Sequence, residues 1–275
     1  MKHRGTVEGF LALVRGRVDR LDARLLLELA AGVAHAEVIS RPERELDAKQ
    51  WQTLQELADR RAAGEPLAYL VGHAEFRGRR FVVSPAVLIP RPETEELIDL
   101  ALEKLAPLAA PRCVDLGTGS GVIAVSLKLE CPSATVCAID VSAEALEVAV
   151  ANAAALGAGV EFRCGSWFLP LAGERFDLVV SNPPYVAAGD PHLDLNGLPF
   201  EPRGALTDEA DGLACIRAIV AGAPDHLRPG GWLLCEHGFD QAEAVRNLLL
   251  AAGFEAVFSA TDLAGKQRFS GGRVH

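Results

Sequence analysis

Asn182-Pro183-Pro184-Tyr185 is the most specific chemical signal in the chain, and it follows directly on Phe176–Ser181, an apolar run that reads as a strand. Two consecutive prolines remove two N–H donors and lock the loop, leaving backbone carbonyls free to accept hydrogen bonds. Asn182 adds a side-chain acceptor and Tyr185 a flat aromatic face. That set suits the gripping of a planar NH2 group. The nitrogen of an amide or aromatic amine is a poor nucleophile, because its lone pair is delocalised. Two acceptors, Asn182 Oδ1 and the Pro183 carbonyl, would hold both N–H bonds and favour pyramidalisation as a C–N bond forms. No strong general base is required, since the proton becomes acidic only once the new bond exists.

A second constellation is Asp115-Leu116-Gly117-Thr118-Gly119-Ser120-Gly121, at a strand-to-helix turn where an open α/β sheet places its ligand crevice. A dinucleotide site would want G-x-G-x-x-G with the pyrophosphate on the helix N-terminus. Here the spacing is G-x-G-x-G, and the carboxylate of Asp115 just ahead of it would repel a pyrophosphate while suiting a ligand with an ammonium group. S-adenosyl-L-methionine is such a ligand, with an amino group, a sulfonium and no phosphate. Asp140 ends the next strand, where a carboxylate can accept from both ribose hydroxyls. Its structural alternative is a helix cap, but Ser142 is the better N-cap and leaves Asp140 free. Trp167 follows the third strand and could cover the adenine face; its alternative is core packing.

These loops need a scaffold, and the pattern supplies one. Beyond Pro111 the runs Cys113–Leu116, Thr135–Asp140, Val160–Cys164, Phe176–Ser181 and Trp232–Cys235 read as strands. Between and after them lie helical stretches at Ser120–Leu129, Ala143–Leu156, Gly212–His226 and Gln241–Ala252. Ala256–Ala260 and Lys266–Phe269 follow as two extended runs with no helix between them. This predicts a doubly wound, mostly parallel sheet of seven strands with an antiparallel edge hairpin. Residues 1–73 read instead as a small helical bundle, with stripes at Leu21, Leu25, Leu29 and Val33 and at Trp51, Leu54, Leu57 and Ala58. Residues 74–90 read as a hairpin linker around Gly78, its extended runs Arg80–Val83 and Ala86–Ile89. The domain carrying the chemistry spans 91–275, and its first helix is expected at Thr94–Leu105.

The chain has 275 residues and a net charge of −10. Residues 1–75 hold 11 basic and 12 acidic side chains, leaving 16 and 25 for the remainder, so the acidity belongs to the larger domain. An acidic surface speaks against duplex nucleic acid held by phosphate neutralisation, and no direct nucleic acid binding is expected. The six cysteines contain no C-x-x-C pair, and Cys113, Cys137, Cys164 and Cys235 fall in apolar runs that predict buried free thiols. Histidine spacing gives no metal motif, so no metal is expected. No stretch reaches the ~18 apolar residues of a membrane span, and residues 1–18 carry no sustained apolar segment. The chain reads as a soluble, cytoplasmic protein.

Across nearly its whole length the sequence resembles a family, the glutamine-N5 methyltransferases that modify peptide-chain release factors (the HemK/PrmC type). The resemblance is carried by Gly64-Glu65-Pro66-Leu67, Gly72 and Phe76, then Ser84-Pro85 and Leu88-Ile89-Pro90-Arg91-Pro92-Glu93-Thr94-Glu95. Asp115–Gly121, Asp140, Trp167-Phe168, Asn182–Tyr185, Phe200-Glu201-Pro202 and Glu236-His237-Gly238 follow in order. It implies a class I, Rossmann-like methyltransferase domain behind a helical domain that helps dock a protein substrate. That substrate would be the glutamine of the Gly-Gly-Gln motif of a class 1 release factor. By position, Gly117, Thr118, Gly119, Ser120, Gly121, Asp140, Trp167 and Asn182 would bind the cofactor. Asn182, Pro183, Pro184 and Tyr185 would hold the glutamine amide, with Asn182, Pro183 and Tyr185 as the catalytic set and S-adenosyl-L-homocysteine as the product. The Arg91–Glu95 loop would lie over the cleft. Glu93 replaces a more familiar Asp, and Ser166 stands where an Asp commonly precedes the Trp. The resemblance thus implies adenine stacking there without a partner for the adenine amino group.

Three other readings compete, one of them a non-catalytic binder that keeps only the fold, against which intact Asn182, Asp140 and loop glycines speak. A methyltransferase acting on adenine N6 or guanine N2 would use the same tetrad but needs basic surface to hold a strand. A nicotinamide-dependent oxidoreductase would reuse the glycine loop but gives the tetrad no role.

Overall fold

In the computed structural model, residues 5–195 and 197–275 are described, and the chain divides into two compact units that meet at His73 and Ala74. The first unit is helical: α1 (Val7–Val14), α2 (Arg20–Ala31), α3 (His35–Ser40), α4 (Ala48–Ala62) and α5 (Leu67–Val71). Thr6 and Asp19 cap α1 and α2 through their side chains, and Asp47 with Gln50 forms a capping box on α4. Phe10, Leu26, Leu27 and Leu54 are wholly buried at its centre.

One expected stripe is misplaced. Leu21, Leu25 and Leu29 are exposed, and of that set only Val33 is buried. The helix carries leucine on two faces, and the one turned inward presents Ala23, Leu26, Leu27 and Ala31. The small alanines on that face permit a close approach to α4. The second stripe packs as expected, with Leu54, Leu57 and Ala58 buried and Trp51 partly so.

The second unit begins with a two-stranded sheet of β1 (His73–Phe76) and β2 (Arg79–Val82), turning at Arg77-Gly78. Ala86–Ile89, read from sequence as the second extended run, is instead a turn leading into the loop before α6 (Thr94–Leu105). The partner of the first run is the 73–76 segment, which precedes the glycine turn. Asn152 fastens this hairpin to the rest of the unit. Its Oδ1 accepts from Val82 N at 2.7 Å, and its Nδ2 donates to the carbonyls of Val82 and Ser120 at 3.0 and 2.9 Å.

The main sheet comprises β3 (Arg112–Leu116), β4 (Thr135–Asp140), β5 (Val160–Cys164), β6 (Phe176–Ser181), β7 (Leu227–Glu236), β8 (Glu255–Thr261) and β9 (Gln267–Arg273). The helices are α7 (Val122–Glu130), α8 (Ala143–Leu156), α9 (Arg203–Leu206), α10 (Ala214–His226) and α11 (Ala242–Ala251). Strand order is β5-β4-β3-β6-β7-β9-β8, parallel from β5 to β7 and antiparallel where β9 meets β7 and β8. Chain order reverses between β3 and β6, and that switch point opens a crevice at the strands' C-terminal ends. One core lies on each face of the sheet, built around Leu97, Ile98, Ala124 and Val180 on one side and Val114, Val179, Ile216 and Leu233 on the other. This is the class I methyltransferase fold.

Two strands outrun their sequence signal. β7 includes Arg228–Gly231 as a bulge, its partner register jumping from Phe176↔Leu227 to Leu178↔Trp232. β9 continues through Gly271 and Gly272, where only glycine fits, since a Cβ would meet Leu234 and Phe254 at 2.5 and 2.8 Å. Cys113, Cys137 and Cys235 are buried free thiols as expected, whereas Cys164, at the end of the outermost strand, is exposed. Among the described residues no helix is long and apolar enough to cross a membrane.

Candidate active site

A cavity of about 500 Å³ fills the crevice at the sheet's switch point, and every residue lining it lies between Ala86 and Cys215. Gly117, Thr118, Gly119 and Ser120 arrive from the turn after β3, and Asp140 from the end of β4. Ser166 and Trp167 come from the end of β5, and Asn182 and Pro184 from the end of β6. Ala86–Leu88, Pro90, Arg91 and Thr94 close it on another side. Three residues expected at the site are not among those lining the cavity: Gly121, Pro183 and Tyr185.

Gly121 is a packing residue. Its φ is +82°, and a Cβ there would sit 3.1 Å from that of Ala149, so the glycine lets α7 and α8 close on each other. Gly119, by contrast, has open space where its Cβ would project. Asp115 does not face the ligand space either. It is fully buried, with Oδ2 accepting from Thr118 Oγ1 at 2.6 Å and Ala124 N at 3.2 Å, and Oδ1 without a partner among the described residues. Burial pushes its carboxyl up to about 7. Its work is to close the glycine loop onto the helix behind it, not to repel or attract a ligand directly.

Four of the loop's five amides are already used, and only that of Ser120 has no acceptor among the described residues. Gly117 N and Thr118 N both donate to the Ile139 carbonyl, at 2.8 and 2.9 Å. Gly119 N donates to Asp140 Oδ2 at 2.8 Å, and Gly121 N to the Thr118 carbonyl at 2.8 Å. An anion cradle needs several free N–H groups aimed at the ligand, and a loop with only Ser120 N to offer suits a pyrophosphate poorly. Asp140 is correspondingly less free than its sequence context suggested. Ser142 is the N-cap, accepting from Ala145 N at 3.1 Å, yet Asp140 Oδ1 still takes the Ser142 amide at 2.9 Å. Each carboxylate oxygen keeps a second acceptor site, so two fixed acceptors remain at the cavity edge.

Trp167 adopts φ +46°, and its ring lies 3.5 Å from where a Gly117 Cβ would stand. It both lines the cavity and packs on the second core, so the two readings of this residue describe one placement.

The tetrad is braced from behind. Asn182 Nδ2 donates to Thr94 Oγ1 at 3.2 Å, and Thr94 Oγ1 donates to Glu236 Oε2 at 2.8 Å. Tyr185 OH donates to the other oxygen of the same carboxylate at 3.2 Å. Tyr185 therefore acts from the core side, where burial raises its phenol well above the ordinary range. Among the described residues no donor is placed on Asn182 Oδ1 or on the Pro183 carbonyl. Burial pushes Glu236 up to about 7, opposed by the hydroxyls of Thr94 and Tyr185 and the positive charge of Arg268. A second buried carboxylate, Glu201, accepts from Arg91 Nη2 at 2.6 Å and from Ile89 N at 3.0 Å, holding the Arg91 loop against the segment before α9. Sequence reasoning picked out the motifs containing Thr94, Glu201 and Glu236 without giving them work. The available signal was a carboxylate closing the apolar strand Trp232–Cys235, since a charge in such a position needs partners.

A family model described as "Methyltransferase small domain" matches residues 96–196, and one described as "PrmC N-terminal domain" matches residues 9–72. A release factor glutamine methyltransferase of Bordetella pertussis is 52% identical over 93% of this chain and 95% of its own length. One from Burkholderia pseudomallei is also 52% identical, over 94% and 93%. The chain belongs to the release factor glutamine methyltransferase family. Fold likeness extends further. The catalytic domain of hMettl16, solved with an RNA hairpin, has a TM-score of 0.58 at 17% identity, covering 80% of this chain and 82% of that one. A Thermus thermophilus 16S rRNA N2 G1207 methyltransferase, solved with AdoMet and guanosine, scores 0.54 at 18% identity over 74% and 50%. At such identities the likeness concerns the fold alone. Membership of the glutamine methyltransferase family makes the chain an enzyme, a methyltransferase.

Proposed function

We propose that this enzyme transfers the methyl group of S-adenosyl-L-methionine to the side-chain amide nitrogen N5 of the glutamine in the Gly-Gly-Gln motif of class 1 peptide-chain release factors. One observation carries the reading: at a crevice whose glycine loop spends four of its five amides on backbone carbonyls and on Asp140, Asn182 Oδ1 and the Pro183 carbonyl accept from no donor among the described residues. The family relatives, named for glutamine methylation, support it.

The residues present fit the cofactor. Open space beside Gly119 admits a ligand against bare backbone, and Asp140 offers two oriented acceptors to a ribose. Trp167 presents an aromatic edge of the cavity to the adenine. When bound, S-adenosyl-L-methionine supplies an electrophilic methyl on a sulfonium and leaves as the thioether S-adenosyl-L-homocysteine. Asn182 Oδ1 and the Pro183 carbonyl each take one N–H of the substrate amide and turn its nitrogen toward that methyl. Their partial negative charge offsets the positive charge that develops on nitrogen, and the two prolines between Asn182 and Tyr185 keep both acceptors from relaxing away. The surplus proton leaves to solvent after the bond has formed. Gly121 and Tyr185 contribute from behind, by packing and by bracing, and Pro183, buried and outside the cavity lining, contributes only its backbone carbonyl.

In this reading residues 1–73 dock the release factor, 74–90 link the two parts, 91–275 carry the chemistry, and the enzyme works in the cytoplasm without holding nucleic acid. The test is mass spectrometry of a class 1 release factor after incubation with enzyme and S-adenosyl-L-methionine. The expected result is one added methyl on the glutamine of the Gly-Gly-Gln peptide. Methyl transfer to DNA or ribosomal RNA, with none to the release factor, would overturn it.

A further inference from the structure

An Asn side chain can face a ligand with its oxygen or, after a half-turn about χ2, with its NH2. Only the first orientation can grip an amine, and the difference between the two faces is invisible to shape. In this enzyme the choice is made by a hydroxyl. Thr94 and Glu236 are almost completely buried, at 2% and 1% exposure, so neither has water as a substitute partner. Thr94 has a single hydroxyl hydrogen, and it points to Glu236 Oε2 at 2.8 Å. What Thr94 turns toward Asn182 is therefore a lone pair, which can only accept. Asn182 must answer with Nδ2, at 3.2 Å, and its Oδ1 is thereby turned away from Thr94. Tyr185 donates to Glu236 Oε1 at 3.2 Å, so the carboxylate ties down both ends of the tetrad.

We infer that Thr94 is a positioning and specificity-determining residue, which fixes the Asn182 amide with its oxygen toward the substrate and so makes the site take a glutamine carboxamide and refuse a glutamate carboxylate. The inference rests on the proposed role of Asn182 as the amide-gripping residue. With Thr94 in place, a glutamate side chain meets the Asn182 oxygen head-on, acceptor against acceptor. Without the hydroxyl the Asn182 amide can rotate, and the rotated form offers an NH2 that suits glutamate. A site built around hydrogen bonds to a substrate NH discriminates strongly against an analogue that lacks it, because its own polar group is then left unpaired.

The test compares the full-length wild-type enzyme with Thr94→Val, which keeps the shape, and Thr94→Ser, which keeps the hydroxyl. Two quantities are measured: methyl transfer to a release factor, and inhibition by the same release factor with its Gly-Gly-Gln glutamine changed to glutamate. The expected loss of kcat in Thr94→Val is about 10- to 100-fold, with Thr94→Ser restoring it to within about 3-fold. The ratio of the inhibition constant for the glutamate protein to KM for the glutamine protein should fall at least about 10-fold in Thr94→Val and stay near wild type in Thr94→Ser. That ratio does not depend on the fraction of folded enzyme. If Thr94→Val keeps wild-type kcat and selectivity while Asn182→Ala is inactive, the inference about Thr94 is overturned and the role of Asn182 stands. If Asn182→Ala also turns over normally, the amide-gripping reading itself falls.

Discussion

Asp140 Oδ2 accepts the Gly119 amide at 2.8 Å, which ties the end of β4 to the turn that follows β3. The same carboxylate takes the Ser142 amide through Oδ1 at 2.9 Å, so its plane is set by two fixed donors before any ligand arrives. A carboxylate oriented in this way is pre-organised for a pair of ribose hydroxyls, since little side-chain entropy remains to be lost on binding.

Replacing Asp140 by Ala should therefore weaken S-adenosyl-L-methionine binding about 100-fold, the equivalent of one to two charge-assisted hydrogen bonds. Asp140→Asn should fall between the two, because one acceptor becomes a donor facing backbone N–H groups. Isothermal titration calorimetry gives the numbers directly. An affinity within about 3-fold of wild type for Asp140→Ala would remove this residue from the cofactor site.

Asn182→Ala should lower kcat by about 10²- to 10³-fold, because an acceptor is lost from the nitrogen that becomes positive in the transition state. The variant should melt close to wild type, and cofactor affinity should change far less than turnover. Single-turnover methyl transfer separates chemistry from product release. Near wild-type turnover would mean the mechanism is wrong.

The glycines of one loop should fail differently. Gly121→Ala forces a Cβ to 3.1 Å from that of Ala149 at a φ of +82°, and should destabilise the fold by about 1–3 kcal/mol. Gly119→Ala meets no neighbour, so its cost to stability should be about 1 kcal/mol, from its φ of +54°. Its methyl group, however, would project into open space beside the cavity and obstruct the ligand. Melting curves and cofactor titrations on the pair should show opposite emphasis. If Gly119→Ala binds cofactor as wild type does, the ligand does not lie against that backbone.

Glu236 gives opposite pH signs for stability and activity. Burial raises its folded-state pKa from 4.5 to about 7, so its contribution to stability is complete below about pH 4.5 and is lost as the pH climbs through about 7. The ionised carboxylate is the form that accepts from both Thr94 and Tyr185, so turnover should rise over the window in which Tm falls. Asp115, also near 7, adds a parallel loss of stability in any variant that keeps it. The difference in Tm between Glu236→Gln and wild type therefore isolates one group, and it should move in favour of the variant between about pH 5 and about pH 8. A flat difference would mean that Glu236 is not titrating in this range.

Much of this was legible from residue order. α6, β4, α8, β5 and β6 begin and end where the apolar periodicity places them, since each combines a clean pattern with a recognisable stop such as Gly157 or Pro183. The cavity collects most of the residues picked out for ligand contact, because strand ends in a parallel sheet gather on one side. The misses are tertiary. Nothing in the spacing of Leu21, Leu25 and Leu29 says which of two leucine faces α2 will bury. Nothing in Ala86–Ile89 reveals that the partner of β2 lies before the glycine turn. Asp115 and Tyr185 carry the right chemistry for a ligand site but turn toward the core; Thr118 and Ala124 hold Asp115 there from the same turn and helix, and Glu236, 51 positions along the chain, holds Tyr185.

The position of β9 between β7 and β8 has a bearing on how the protein is made. Residues 267–273 form an interior strand between β7 and β8, with Leu234 and Phe254 packed directly over Gly271 and Gly272. A nascent chain that has emerged only through β8 has no partner to close that side of the sheet, and the apolar edge of β7 stays unpaired while it waits. The loops around the cavity lie at the ends of strands made earlier, yet Glu236 closes β7, one edge of which stays open until β9 arrives. The brace behind Asn182 is therefore completed only once residues 267–273 have been made, and a chain stopped before Gln267 should be an inactive, aggregation-prone species, not a smaller enzyme.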